Sequence, residues 1–186
     1  MTPILPREFY EYPATFVAPR LLGCRLVRVL DGQRMAGVIT EAEAYQGQED
    51  QACHARVGLT PRTAPMFGAA GHAYIYFTYG MHWLLNAVTD GMGTPAAVLI
   101  RAIRATEGIE RMAELRPKLA YQKDWLNGPA KLAQALGLDG TLNGADLCSQ
   151  ESGLFIEAGV TIPPGLMQVS TRVGIQSVPE PWRSMP

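Results

Sequence analysis

At 186 residues, with 47% apolar and 18% charged residues, the chain has the length and composition of one folded domain, residues 1–186, able to bury a sizeable core. Its net charge of −1 argues against a protein that coats nucleic acid by charge alone. No run of eighteen apolar residues is present to cross a membrane, MTPILPREFYEYP is not a signal peptide, and the cysteines (Cys24, Cys53, Cys148) lack CxxC spacing, so neither a disulfide framework nor a zinc site is indicated and a cytoplasmic, reducing location is expected.

In chain order, PATFVAPRLLG reads as an early helix stopped by Gly23, with Pro19 against it. CRLVRVL and QRMAGVITEAEAY flank Asp31-Gly32 and predict a β-hairpin. HAYIYFTY, HWLLNAVT and AAVLIRAI read as three further strands. TEGIERMAELR has helical spacing with Thr106 as the expected N-cap. NGPAKLAQALG is a short helix with Pro129 at its first position and Gly137 as its stop. GLFIEAG and TRVGIQS carry weak strand signals. Strands in a block with a few helices predict an α+β fold. The expected architecture is a single domain with a mainly antiparallel, curved β-sheet, flanked by short helices and bearing a protruding β-hairpin.

Charge is unevenly spread. Arg20, Arg25, Arg28 and Arg34 cluster early, and residues 97–131 are rich in Arg and Lys, including Lys118 and Lys123. Residues 132–171 have neither. A basic face opposite an acidic one and ordinary solvated charge fit this pattern equally.

The strand ending in ITEAEAY carries the densest chemistry. Alternation puts Glu41, Glu43 and Tyr45 on one face, and Val38, Thr40, Ala42 and Ala44 on the core face. Two readings of the paired carboxylates are open: a solvated edge, or a cleft with one carboxylate as general base. His54, His72 and His82 lack metal-ligand spacing, so metal catalysis is not expected. No GxGxxG, P-loop or HExxH motif is present. Tyr74 and Tyr76 share a strand face, and Tyr79 stands beside Gly80 at a turn. Such aromatics fill cores, stack nucleobases at roughly 1–3 kcal/mol per base, or wedge into a duplex from a hairpin tip.

Taken in order, ITEAEAYQGQEDQACHARVGLTPR, MF, AYIYFTYGMHWLLN, AVLIRA, NGPAKLAQALG and DL resemble the alkyladenine (3-methyladenine) DNA glycosylase family. The likeness spans about Leu21 to Trp182. EAEAY, a histidine nine residues after its tyrosine, YxxYGM and LIRA are specific in combination.

The resemblance implies a monofunctional glycosylase that rotates a damaged purine out of double-stranded DNA and hydrolyses its bond to deoxyribose. The lesion class would be 3-methyladenine, hypoxanthine and ethenoadenine. Glu43 matches the general base, and Arg101 the arginine that helps hold the attacking water. Tyr45, His54 and Tyr76 match the residues that sandwich the flipped base. Asn86 matches the asparagine that disfavours a guanine 2-amino group, and Tyr79 the wedge. Thr60, Arg62, Met66 (near the wedge) and Lys131 fall where the family touches DNA. A monomer without cofactor or metal is expected. Leu84, Leu85 and Leu99 are candidates for setting pocket width.

The chemistry is consistent with those roles. An ionised glutamate can both take a proton from water and stabilise the oxocarbenium charge on the sugar. The first lysine is Lys118, far in sequence from EAEAY, so a Schiff-base lyase is not expected. The competing readings are a small-molecule nucleoside hydrolase and a non-catalytic reader of damaged DNA.

Overall fold

The computed structural model describes residues 2–116 and 126–185; the predicted basic residues Lys118 and Lys123 lie outside them. Among the described residues, six strands form one antiparallel sheet: β1 (Arg25–Leu30), β2 (Gln33–Gln46), β3 (Ala73–Thr78), β4 (His82–Thr89), β5 (Ala96–Glu107) and β6 (Leu154–Glu157). Their order is β3-β4-β5-β2-β1-β6, and the sheet is curled. Helices α1 (Ala14–Leu21), α2 (Ile109–Leu115) and α3 (Pro129–Ala135) accompany it, so the α+β expectation holds. Among the described residues, no helix is long and apolar enough to cross a membrane.

Helices α1 and α3 cover one face of the sheet. Val17, Leu21, Leu132 and Leu136 pack there with Met35, Ile39, Leu85, Val98 and Ile100 in the main core. Burying each large side chain contributes roughly 1.5–3 kcal/mol. Helix α1 runs through Pro19 despite the backbone bond its nitrogen cannot donate. Its buried stripe of Ala14, Val17, Ala18 and Leu21 outweighs that loss. Strands β1 and β2 turn at Asp31 and Gly32, both at positive φ (53° and 74°), as the Asp-Gly pair requires.

The opposite face carries a smaller apolar cluster and a cavity. Cys53, Ala55, Met66, Tyr74, Val88 and Ala97 pack under the segment between β2 and β3. Alternation along β5 sends Ala96, Val98 and Ile100 to the main core and leaves Ala97, Leu99 and Arg101 on the cavity side.

Three irregularities break the β2–β5 register, and the two around Glu41 correct the predicted facing of β2. Ile39 pairs with Ile103, Glu41 with Ala102, and Ala42 with Ile100. Thr40 is therefore the extra residue on β2, and Arg101 the extra residue on β5. Before the bulge Met35 and Ile39 face the core; after it Ala42 and Ala44 do. Val38 and Thr40, expected in the core, are not there, because an inserted residue inverts the two-residue period.

Two further expectations are corrected. Thr106 is not a helix cap: β5 continues through it, and its hydroxyl donates to the Ala36 carbonyl at 3.2 Å. Gly108, at φ +70°, precedes the helix instead. TRVGIQS forms turns rather than a strand, because Arg172 within it turns inward to a buried acid.

Gly108 separates conformational strain from crowding. A Cβ there would lie 2.5 Å from the Arg34 carbonyl oxygen, whereas at Gly32 (φ +74°) it would meet nothing within 4 Å. Gly32→Ala is expected to cost about 1 kcal/mol from backbone conformation alone. Gly108→Ala should cost at least about 1–3 kcal/mol more, because β2 must move. Urea unfolding of the two variants checks this; equal midpoints would refute the crowding argument.

Candidate active site

Glu43 comes from β2 beyond the bulge and is buried at 7% exposure. Its carboxylate accepts two hydrogen bonds and forms one ion pair. Oε1 accepts the Val173 backbone N–H at 2.7 Å and faces Arg101 Nη1 at 3.3 Å. Oε2 accepts the Tyr45 hydroxyl at 2.9 Å. Glu41 is more exposed and takes Arg101 Nε at 2.6 Å. The guanidinium thus spans both carboxylates, and Glu41 orients it toward Glu43. Burial works against the Arg101 cation, but Glu41 and Glu43 outweigh it and hold the guanidinium above its ordinary range.

A cavity of about 540 Å³ lies beside this cluster. Tyr45, His54, Tyr76, Asn86, Leu84, Leu99 and Arg101 line it. Glu43 stands behind this wall, and its partners Tyr45, Arg101 and Val173 are all part of the wall. Leu85 is not on the wall: it lies on the other face of β4 in the main core, which removes it as a determinant of pocket width.

Aromatic rings dominate the pocket. His54, on a 3-10 turn over His54–Val57, packs edge-on to Tyr76 with centroids 4.4 Å apart. Its Nδ1 lies 3.0 Å from the Tyr74 hydroxyl, a hydrogen bond that holds the ring in place. Burial, then the Arg62 and Arg56 cations, lower the His54 pKa to about 4. The imidazole is therefore neutral near pH 7. Burial pushes the Tyr76 hydroxyl up to about 12. Burial and the Glu43 charge drive Tyr45 up as well, so its hydroxyl remains a donor to Glu43. Asn86 gives its side-chain N–H to the Tyr74 carbonyl at 3.0 Å, which fixes the amide.

The remaining predicted residues lie at several places. Tyr79 is 83% exposed at the β3–β4 tip, and it also borders the cavity mouth. Arg62 is exposed, with its guanidinium 5.4 Å from the Tyr76 ring centroid. The Thr60 hydroxyl is engaged with Thr63 in a tight turn. Lys131 Nζ donates to Asn127 at 2.6 Å. Met66, expected near the wedge on a DNA-facing surface, is 2% exposed and packs in the cavity wall. It is placed there by the 3-10 turn Ala64–Phe67, which tucks it against Cys53 and Tyr74.

Three residues essential to this geometry escaped the sequence reading. Arg172 pairs with Asp50 through both carboxylate oxygens, at 2.5 and 3.2 Å, with each side chain 2% exposed. Losing either partner alone would strand a buried charge, at about 3–5 kcal/mol. Val173 contributes only a backbone amide. The one available signal was Arg172 itself, the first cation after a long stretch without any. Among the described residues, no group of three or more His, Cys, Asp or Glu side chains is placed to hold a metal ion.

The neutral His54 makes stability pH-dependent in a defined direction. Unfolded, its pKa is about 6.5; folded, about 4. Its contribution is fully present above the unfolded value and is lost as pH falls toward the folded one. The drop in melting temperature from pH 7 to pH 4.5 should be smaller in His54→Asn than in the native protein. An equal drop would remove His54 as the source.

A family model for methylpurine-DNA glycosylase matches residues 8–185. A protein from Burkholderia lata is 44% identical over 181 residues, covering 97% of this chain and 86% of its own. One from Methanocella arvoryzae is 45% identical over 185 residues, covering 97% and 91%. One from Carboxydothermus hydrogenoformans is 45% identical over 174 residues, covering 94% and 90%. All three carry the name 3-methyladenine DNA glycosylase. The chain belongs to the methylpurine-DNA glycosylase family and is a hydrolase of N-glycosidic bonds.

Proposed function

We propose that this protein acts as a monofunctional, monomeric, intracellular DNA glycosylase, with residues 1–186 as a single catalytic domain. Its substrate is double-stranded DNA holding a 3-methyladenine-, hypoxanthine- or ethenoadenine-type purine, which it flips out and excises with water. The observation that carries this reading is a buried carboxylate, Glu43, whose partners form the wall of an aromatic cavity.

A carboxylate offers roughly four acceptor directions. Tyr45 and Val173 occupy two at Glu43, with Arg101 as an ion pair beside Oε1, which leaves a direction on Oε2 for a water. Glu43 takes the proton as the water oxygen bonds to C1′ and the glycosidic electrons leave with the purine. Its negative charge also offsets the cationic character of the sugar in the transition state. Arg101, oriented by Glu41, helps to hold the water. A cationic alkylated base leaves as a neutral molecule; a neutral base such as hypoxanthine leaves as its anion and takes its proton from solvent water.

Tyr45, His54 and Tyr76, which line the cavity, would sandwich the flipped base. An electron-poor purine stacks well on tyrosine faces. Asn86, its amide fixed by the Tyr74 carbonyl, disfavours an added 2-amino group. Tyr79 fills the vacated place in the stack. Arg62, Thr60 and Lys131 contact the duplex beside the lesion, and Met66 acts as pocket wall. Flipping costs a few kcal/mol, less for a damaged or mispaired base, so selection begins before the pocket is entered.

The reading is tested with a panel of single-lesion duplexes and the matching free nucleosides. Base release from duplex and little from nucleoside is expected; equal activity on both would favour a small-molecule hydrolase. Glu43→Gln should abolish excision while retaining lesion binding. Binding lost with normal turnover of bound DNA would contradict the assigned role, and absence of base release by the native protein would favour a non-catalytic reader. Tyr79→Ser should weaken capture of lesion DNA more than it slows excision of bound substrate. Capture equal to that of the native protein would end the wedge assignment.

A further inference from the structure

One buried cation connects the C-terminal segment to the site. Besides its two bonds to Asp50, Arg172 donates to the Ala44 carbonyl on β2 at 3.1 Å and to the Trp182 carbonyl at 2.9 Å. Its guanidinium lies 5.0 Å from the Tyr45 ring centroid. The Asp50 carboxylate also accepts the backbone N–H groups of Gln46 and Ala52, at 3.1 and 2.9 Å. The residue after Arg172 is Val173, whose N–H holds Glu43.

We propose that Arg172 is a positioning residue for base excision. Paired with Asp50, it seats the Val173 amide on Glu43 and backs the Tyr45 ring, so that the carboxylate and the stacking face keep their aim. The inference rests on the reading of Glu43 as the base.

The arrangement joins three stretches of chain, and each brings something to the site. β2 brings Glu43 and Tyr45. The loop anchored by Asp50 leads to His54. The C-terminal segment brings the Val173 amide. Arg172 and Asp50 are 122 residues apart in sequence, so no local propensity sets this geometry. Only a planar fork of five donors serves two carboxylate oxygens and two carbonyls at once; a lysine ammonium does not. A buried ion pair adds little net stability compared with well-packed apolar residues. What this pair supplies is a fixed direction for the Val173 backbone amide.

Two variants of the full chain probe this. Arg172→Lys keeps the charge without the fork. Asp50→Asn/Arg172→Gln removes both charges and leaves neither stranded. Each is compared with the native protein and with Glu43→Gln, by lesion-duplex affinity, single-turnover excision of hypoxanthine, and the proton shift of the Val173 amide. Both variants should lose far less lesion-DNA affinity than excision rate. Their single-turnover rates should fall on the order of 100-fold, the effect of misplacing a reacting group by about an ångström. The Val173 amide proton should move in the same direction as in Glu43→Gln, since all three weaken the same hydrogen bond. Native rates in both variants, or parallel losses of binding and rate with an unmoved Val173 amide, overturn the proposal. Native-like excision by Glu43→Gln would overturn the parent reading instead. That result is distinct from an inactive Glu43→Gln beside fully active Arg172 variants.

Discussion

The pairing of β2 with β5 is the constraint on which the rest of the structure depends. These two strands are the centre of the sheet, and they face an apolar core on one side and a charged cavity on the other. A regular ladder would keep Met35 and Ile39 in phase with Glu41 and Glu43. The bulges at Thr40 and Arg101 resolve this conflict. They let the first half of β2 bury its odd-numbered residues, and the second half bury Ala42 and Ala44 instead. One of the extra residues is the arginine that faces Glu43. The irregularity therefore both preserves the core and sets the charge cluster.

Burying Glu43 is costly unless it is fully hydrogen-bonded. Its partners come from three separate elements: Tyr45 from the same strand, Arg101 from β5, and the Val173 amide from a loop far along the chain. A buried carboxylate so held loses little by reorganisation when charge develops beside it. The surrounding hydroxyls of Tyr45 and Tyr76 stay protonated and His54 stays neutral. The cavity therefore joins the Glu41–Arg101–Glu43 charge cluster with aromatic side chains that carry no charge themselves.

Much of the fold was legible in the sequence, because its signals are local. Asp31-Gly32 marks a hairpin through positive φ, Pro129 opens a helix, and alternation marks β3 and β4. The bulges were not legible, since an inserted residue leaves no pattern in a run such as VITEAEAY. Thr106 misled because a good capping residue is also a good strand residue, and here β-pairing claimed it. At the site, the EAEAY, YGM and LIRA segments could be recognised together. Glu41 and Glu43 could not be told apart by alternation; burial and hydrogen bonding now separate them. Arg172 stood out only as an isolated cation, and its pairing with Asp50 and the Val173 amide were out of reach, because a pair so distant in sequence and a backbone group carry no local mark. Met66, placed near DNA by motif position, packs as part of the wall, a position that the motif does not mark.

Tyr79 occupies a conformation that most residues avoid. It sits at φ +52°, followed by Gly80 at φ +67°, and a non-glycine residue in that region costs roughly 1–2 kcal/mol. Its ring is largely in water, so no packing repays the strain. Glycine or asparagine would make a more stable turn at this position. Directed evolution for heat resistance alone would therefore drift away from tyrosine here. A library screened only for soluble, stable protein would enrich variants lacking the aromatic tip, making the hairpin the place where selection for robustness and selection for the proposed repair activity pull in opposite directions.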